Sequence, residues 1–295
     1  MLPKLRIWTC FLASLVVVVS FCLKSSAQET QEQARHPAGG QGFDFSDYAL
    51  VLKTFVNDKA MVNYKQLKAQ PQRLEAFITA MAKLEPDRYE AWSEKDKIAF
   101  WLNAYNGLTL KVIIDNYPIK ASFLRSRIYP KNSIRQIAGV WDEISFNVMG
   151  RKLTLEHIEH KILRVKFNDP RIHMAMVCAA MGCPPLRNEP YGGAKLDEQL
   201  DGQARRFLAN SAKFNIDRSE GRLYVSPIFK WFAEDFAKRY GPESNLGGRD
   251  KRESAVLNFI ASYLPEADKK YVLTGSYDVE YLTYNWSLNE QQAAQ

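Results

Sequence analysis

SEKDKIAFWLNAYNGLTLKVIIDNYP, Ser93 to Pro118, is the stretch whose reading decides the fold class. Ser93-Glu94-Lys95-Asp96 resembles a capping box, in which a side-chain oxygen takes up a backbone N–H that has no helical partner. It opens a long apolar helix that runs to about Asn116, where Pro118 stops it. Asn103 and Asn106 lie three apart on one side of that helix, beside Trp101 and Tyr105. Buried asparagine must be hydrogen-bonded, so both are expected to fasten a neighbouring loop, with a catalytic role second.

Outward from this helix, the pattern predicts helices over Phe43–Val56 and within Leu67–Leu84, the latter with Pro71 at a first helical position. Downstream, Trp141 to Val148, the turn Met149-Gly150-Arg151 and Lys152-Leu153 read as a hairpin. Thr154 then caps a helix carrying Glu156, His157, Glu159 and His160 through to Arg164. Arg171–Cys178, short and apolar between Pro170 and a Gly-Pro loop, reads as a buried strand. Further helices are expected over Leu196–Leu208, from Ser226-Pro227 to Tyr240, and over Arg249–Tyr263. A second hairpin is expected over Phe214–Val225 about Glu220-Gly221. Alternating Val279, Tyr281 and Thr283 suggest a closing strand. The fold class is α+β: a helix-rich single domain over 43–290 with short strands and two hairpins, its topology left open.

The N-terminus predicts the address. Lys4 and Arg6 precede mostly apolar sequence from Ile7 to Leu23, and Ser25-Ser26-Ala27 offers the small residues of a cleavage site. A signal peptide over 1–27 and a disordered leader over 28–42 are expected, with a periplasmic or secreted mature protein and no stable membrane insertion after cleavage. Loss of Lys4, Arg6 and Lys24 takes the formal charge from +7 to about +4. No Lys/Arg-rich run interleaves with aromatics, so nucleic acid is not expected as a partner. A small-molecule or peptide-like substrate is.

Four histidines and four cysteines occur in the chain. His36, Cys10 and Cys22 fall in the leader and signal, which leaves His157, His160, His173, Cys178 and Cys183 in one short stretch. These residue types supply most nucleophile, proton-shuttle and soft-ligand chemistry at neutral pH, so the chemistry is expected there.

Several segments resemble the signatures of the domain-of-unknown-function 547 family. They are Val62–Lys65, Ala99–Asn106, Ile158–Arg164, His173–Cys178, Gly182–Leu186, Trp231–Phe236 and Tyr284–Asn289. The resemblance implies a single domain and no agreed reaction. In relatives the position of Cys183 can be Ser, and that of His157 is commonly another polar residue. Asn103, Tyr105, Asn106, Glu159, His160, Arg164, His173 and Cys178 match the shared pattern.

Three functions fit these residues. The first is a thiol-dependent hydrolase or transferase acting on an amide or ester. Cys178 would be its nucleophile, His160 or His173 its base, and Glu159, Asn103 or Asn106 would orient the imidazole. In a regular strand His173 faces away from Cys178, which favours His160. Tyr105 and Arg164 are supporting residues, Arg164 pairing with a carboxylate or helix carbonyls or binding a substrate anion. No cofactor is expected in this case. The second is a zinc site using Glu159, His160 and His173, although Glu-His-Ile-Glu-His is not the His-Glu-x-x-His of the zincins. The third is a non-enzymatic binding or scaffolding module of the cell envelope with a Cys178–Cys183 disulfide. Trp231, Phe232 and Phe236 are expected in the core, and Tyr281, Tyr284 and Trp286 against the last strand.

Overall fold

Twelve α-helical segments and five short strands are built from the sequence as follows in a computed structural model, which describes residues 42–241, 246–274 and 276–292. The expected signal over 1–27 and leader over 28–42 lie outside the described residues, Gly42 excepted. Among the described residues no helix is long and apolar enough to cross a membrane.

Helices α1 (Ser46–Phe55), α2 (Tyr64–Ala69), α3 (Gln72–Ala82) and α4 (Pro86–Glu90) surround α5 (Glu94–Asn116). The Ser93 hydroxyl accepts the Asp96 N–H at 3.1 Å and donates to the Asp96 carboxylate at 2.6 Å, which closes the capping box. From Ile98 to Leu110 every residue of α5 is buried. A helix apolar all round belongs in the middle of a core. At Gly107 a Cβ would stand 2.6 Å from Phe77, so glycine lets α3 bring Phe77, stacked on Tyr48 at 4.6 Å, against the helix backbone. Pro71 sits just before α3 as its cap residue, one position ahead of the predicted place.

The first hairpin pairs β1 (Ser145–Val148) with β2 (Arg151–Thr154), Val148 opposite Arg151. Its two turn residues, Met149 and Gly150, have φ of 51° and 73°, the left-handed pair that matches strand twist. Thr154 caps α6 (Leu155–His157) as predicted. The helix then relaxes into a π-helical turn, Ile158–Leu163, before α7 (Arg164–Lys166).

A second core gathers on α8 (Leu196–Leu208), β3 (Phe214–Asp217) and β4 (Arg222–Val225). It continues through α9 (Pro227–Trp231), α10 (Ala233–Tyr240) and α11 (Lys251–Ala261). Phe229, Phe236 and Phe259 form its centre, Phe236 lying 4.8 Å from Phe259. Strand β3 pairs antiparallel with β4 as the second hairpin, and β5 (Asp278–Tyr281) joins β4 in parallel. The helix expected from Pro227 to Tyr240 breaks at Phe232, whose φ/ψ of −115°/19° is not helical. Helix α12 (Glu266–Thr274) had no strong sequence signal, because it buries only Val272.

The predicted strand Arg171–Cys178 is corrected. Pro170–Met174 is a 3₁₀ turn, opened by Pro170 and capped by Asp169, whose carboxylate accepts the Arg171 N–H at 3.1 Å. Turn chemistry here overrides an apolar run too short to specify its own period. Arg171 then locks the turn through Asp169, Asp197 and Asp201, at 2.6, 2.7 and 2.8 Å, the last two on α8.

Candidate functional site

Cys178 is delivered by a segment that α5 holds from below. The Asn106 carboxamide accepts the Val177 N–H at 2.8 Å and donates to the Ala175 carbonyl at 3.0 Å. Asn103 makes the same pair of bonds to the N–H and C=O of Tyr191, at 2.9 and 2.8 Å. Both asparagines are loop fasteners, as their place on an apolar helix predicts. After Cys178 the backbone turns left-handed at Ala179, with φ of 59°, which doubles the chain back and brings Cys183 beneath it. The C-terminal segment straps this loop: Met181 N–H donates to Ser287 O at 2.8 Å and Gly182 N–H to Asn285 O at 2.7 Å. A Cβ at Gly182 would fall 2.6 Å from the Tyr284 ring. Only glycine lets that ring lie over the two sulfurs.

The sulfurs of Cys178 and Cys183 are unbonded and 2.7 Å apart. That is inside van der Waals contact and beyond the ~2.05 Å of a disulfide. The Cys178 N–H and the Tyr284 hydroxyl both donate to the Cys183 sulfur, at 3.1 and 3.2 Å. Burial pushes the Cys183 thiol up, but the hydrogen bonds from the Cys178 thiol, Tyr284 and the backbone outweigh it and hold it at about 7. The bond to Cys183, then burial, push Cys178 well above the usual thiol range. The pair therefore parts with one proton readily and the second with difficulty. The charge rests on the buried Cys183, and the proton on the more exposed Cys178. Burial keeps Tyr284 protonated and donating. It also pulls the Lys213 ammonium down to about 8, against the opposing attraction of the two cysteines.

This pair lies in a cleft of about 230 Å³ whose lining also includes Tyr105, Glu159, His160, His173 and Phe232. Glu159 and His160 come from the π-turn, whose i→i+5 bonds wind less per residue than an α-helix and so let two successive side chains share the cleft wall. Tyr105, from α5, donates to Glu159 at 3.0 Å, and its hydroxyl is kept protonated chiefly by burial and then by Glu159.

The two imidazoles have the same tautomer, each fixed by its own partner. Arg164 Nη1 lies 2.6 Å from His160 Nδ1. A guanidinium only donates, so Nδ1 accepts and the ring proton sits on Nε2, which points towards Glu159 at 4.0 Å. His173 Nε2 lies 2.9 Å from the Asp235 carboxylate. Burial pushes that carboxyl up, but His173, Arg164 and Lys238 together hold it well below the usual carboxylate range. Ionised Asp235 only accepts, so His173 carries its proton on Nε2, and its buried Nδ1 has no protein partner. Phe232 stacks on His173 at 4.0 Å and carries the Arg164 guanidinium at 4.9 Å.

The parity that set His173 against Cys178 fails with the strand: both line the cleft. His160, with 38 % of its side chain exposed, is the solvent-reachable ring, whereas the His173 side chain is wholly buried. Arg164 takes a carboxylate partner as expected, Asp235 at 2.5 Å. His157 stays outside the cleft lining. Among the described residues no three His, Cys, Asp or Glu side chains converge as metal ligands.

Asp235 and Tyr284 were missed as site residues. Each lay within a segment that carried the family resemblance, but their partners are 62 and 101 residues away in sequence. Trp231, expected in the core, is 48 % exposed and lines the cleft with Trp286. Phe236 is in the core, as expected.

Burial of neutral His173 predicts a pH dependence of stability. Its pKa is lowered from 6.5 by burial, against the pull of Asp235. Above 6.5 the ring is neutral in folded and unfolded chains alike. Below it, the unfolded chain binds a proton that the folded site refuses, so stability falls as pH falls. Urea unfolding at about pH 7.5 and about pH 5.5 should show this loss, and His173→Gln should flatten it.

No curated protein and no solved structure matches the chain. Residues 89–208 match the family described as "Protein of unknown function, DUF547". The matched span holds Tyr105, Glu159, His160, His173 and the cysteine pair, while Asp235 and Tyr284 lie beyond it. Over those residues the chain is similar to the DUF547 family of proteins of unknown function.

Proposed function

We propose that the cleft carries out thiol-dependent acyl transfer on an amide or ester, as a hydrolase or transferase. The observation that carries this reading is the sulfur pair: a half-buried thiol, Cys178, hydrogen-bonded to a thiolate-prone neighbour in a cleft with two imidazoles and a carboxylate. The Cys178 sulfur attacks the carbonyl carbon while its proton passes to the Cys183 sulfur. A pKa of about 7 suits Cys183 to that work. The Nε2–H of His160 is the donor available to the developing oxyanion. The intermediate collapses by breaking the bond to the leaving group, which departs with the proton held on Cys183. Water, giving a proton to Cys183, or a second nucleophile, then releases the acyl group and restores the Cys178 thiol. His173 and Asp235 are positioning residues that hold Arg164, and through it the His160 tautomer.

The test is p-nitrophenyl acetate, with the modified residue read by peptide mass spectrometry. A burst of one p-nitrophenolate per chain and an acetyl group on Cys178 are expected. Acetylation confined to surface lysines would overturn the reading.

The same sulfurs favour one second reading, the envelope binding module with a Cys178–Cys183 disulfide. A disulfide oxidant such as oxidised dithiothreitol would take up two electrons and two protons, becoming the dithiol as the bond forms, and the bonded pair would attack nothing. Resistance of the isolated protein to alkylation until it is reduced would favour this reading over the first. Export to a periplasm or the medium is part of either proposal.

A further inference from the structure

Arg135 lines the cleft that holds the sulfur pair, yet among the described residues it forms no ion pair. Its guanidinium lies over three aromatic rings, Tyr129 at 4.5 Å, Trp286 at 5.1 Å and Trp141 at 5.2 Å. The one side-chain hydrogen bond it makes runs from Nη2 to the Tyr129 hydroxyl at 2.6 Å. The aromatic rings cover the faces of the guanidinium, which leaves N–H edges of the planar fork as its unfilled capacity. The side chain is partly buried, and a cation held in place against apolar rings has lost water it would otherwise bind. A cation so placed wants an anion.

The same aromatic surface leads from Arg135 to the sulfurs. Trp286, beneath the guanidinium, lies 4.6 Å from Tyr284, and the Tyr284 hydroxyl reaches Cys183 at 3.2 Å and Cys178 at 3.6 Å. Trp231 packs along this track, 6.2 Å from Trp286 and 4.9 Å from Tyr284. An apolar wall of two rings thus joins an unpaired cation to the proposed nucleophile.

We propose that Arg135 anchors a substrate carboxylate, so that the cleft takes peptide-like acyl compounds with a free carboxylate and an apolar body that lies across Trp286 and Tyr284. The single unpaired cation matches one negative charge. A phosphate dianion, with Glu159 also lining the cleft, would be left with charge uncompensated, so a carboxylate is the better fit. This inference rests on the acyl-transfer reading for what happens to the carbonyl, but its binding test does not depend on turnover.

The test is binding of N-acetyl-phenylalanyl-leucine and of its C-terminal amide, followed by tryptophan fluorescence and calorimetry. The acid is expected to bind about tenfold tighter or more, a preference that shrinks with added salt. Arg135→Gln should bring acid and amide to equal affinity, and Arg135→Lys, which keeps the charge and loses the planar fork, should fall between. Near-UV circular dichroism checks that each variant is folded, and the wild-type comparison decides alone if one is not. Equal affinity for acid and amide, no binding of either at millimolar concentration, or a preference that survives Arg135→Gln would overturn the proposal. Acetylation by p-nitrophenyl acetate, which carries no carboxylate, judges the acyl-transfer reading separately.

Discussion

Cys178→Ser is expected to lower the p-nitrophenyl acetate burst by on the order of 10³-fold or more. A serine hydroxyl at this place meets the same Cys183 sulfur but holds its proton far more firmly than a thiol, so transfer to a base of pKa about 7 is strongly uphill. Cys183→Ser should cost less, roughly 10²-fold. A hydroxyl there still accepts a hydrogen bond from Cys178 but holds no thiolate near neutral pH. The contrast between the two variants separates the attacking sulfur from its partner. Equal losses would mean that the two act as one interchangeable dithiol.

Asn106→Leu has the second large effect. The carboxamide is almost fully buried and satisfies both the Val177 N–H and the Ala175 carbonyl. Leucine keeps the volume and leaves both backbone groups without partners, at about 1–3 kcal/mol each, so about 3 kcal/mol is expected overall. Urea unfolding should show a lowered midpoint with an unchanged slope. Because these bonds hold the residues just before Cys178, the variant should also move the thiol midpoint upward. Asn103→Leu should destabilise comparably and leave that midpoint in place, since Asn103 fastens Tyr191 instead.

Much of this was legible from the residues alone. The capping box at Ser93, the apolar run behind it and the two hairpin turns each carry a local mechanism, and each element formed where its mechanism said. The grouping of His160, His173, Cys178 and Cys183 pointed to one cleft. The 3₁₀ turn was not legible, because a run of eight residues beginning Arg171-Ile172-His173 satisfies a strand and a tight turn equally well. The outcome was set by the Asp169 carboxylate and by three ion pairs to Arg171, two of which arrive from α8. Asp235, Tyr284 and Arg135 escaped for a related reason. In sequence they are an ordinary acid, an aromatic near a strand and an ordinary base. They acquire chemistry only when the fold sets them against His173, the sulfurs and the cleft.

The central claim is that Cys178 and Cys183 share one proton in a cleft that water can reach. It is tested most directly by the pH dependence of iodoacetamide alkylation in the native, reduced protein, with the modified cysteine identified by mass spectrometry. The account predicts one reactive thiol per chain with a rate midpoint at about 7, carried by the pair, and a second thiol that resists until far higher pH. Two independent thiols with ordinary midpoints near 8.5, or no reaction before unfolding, would contradict it.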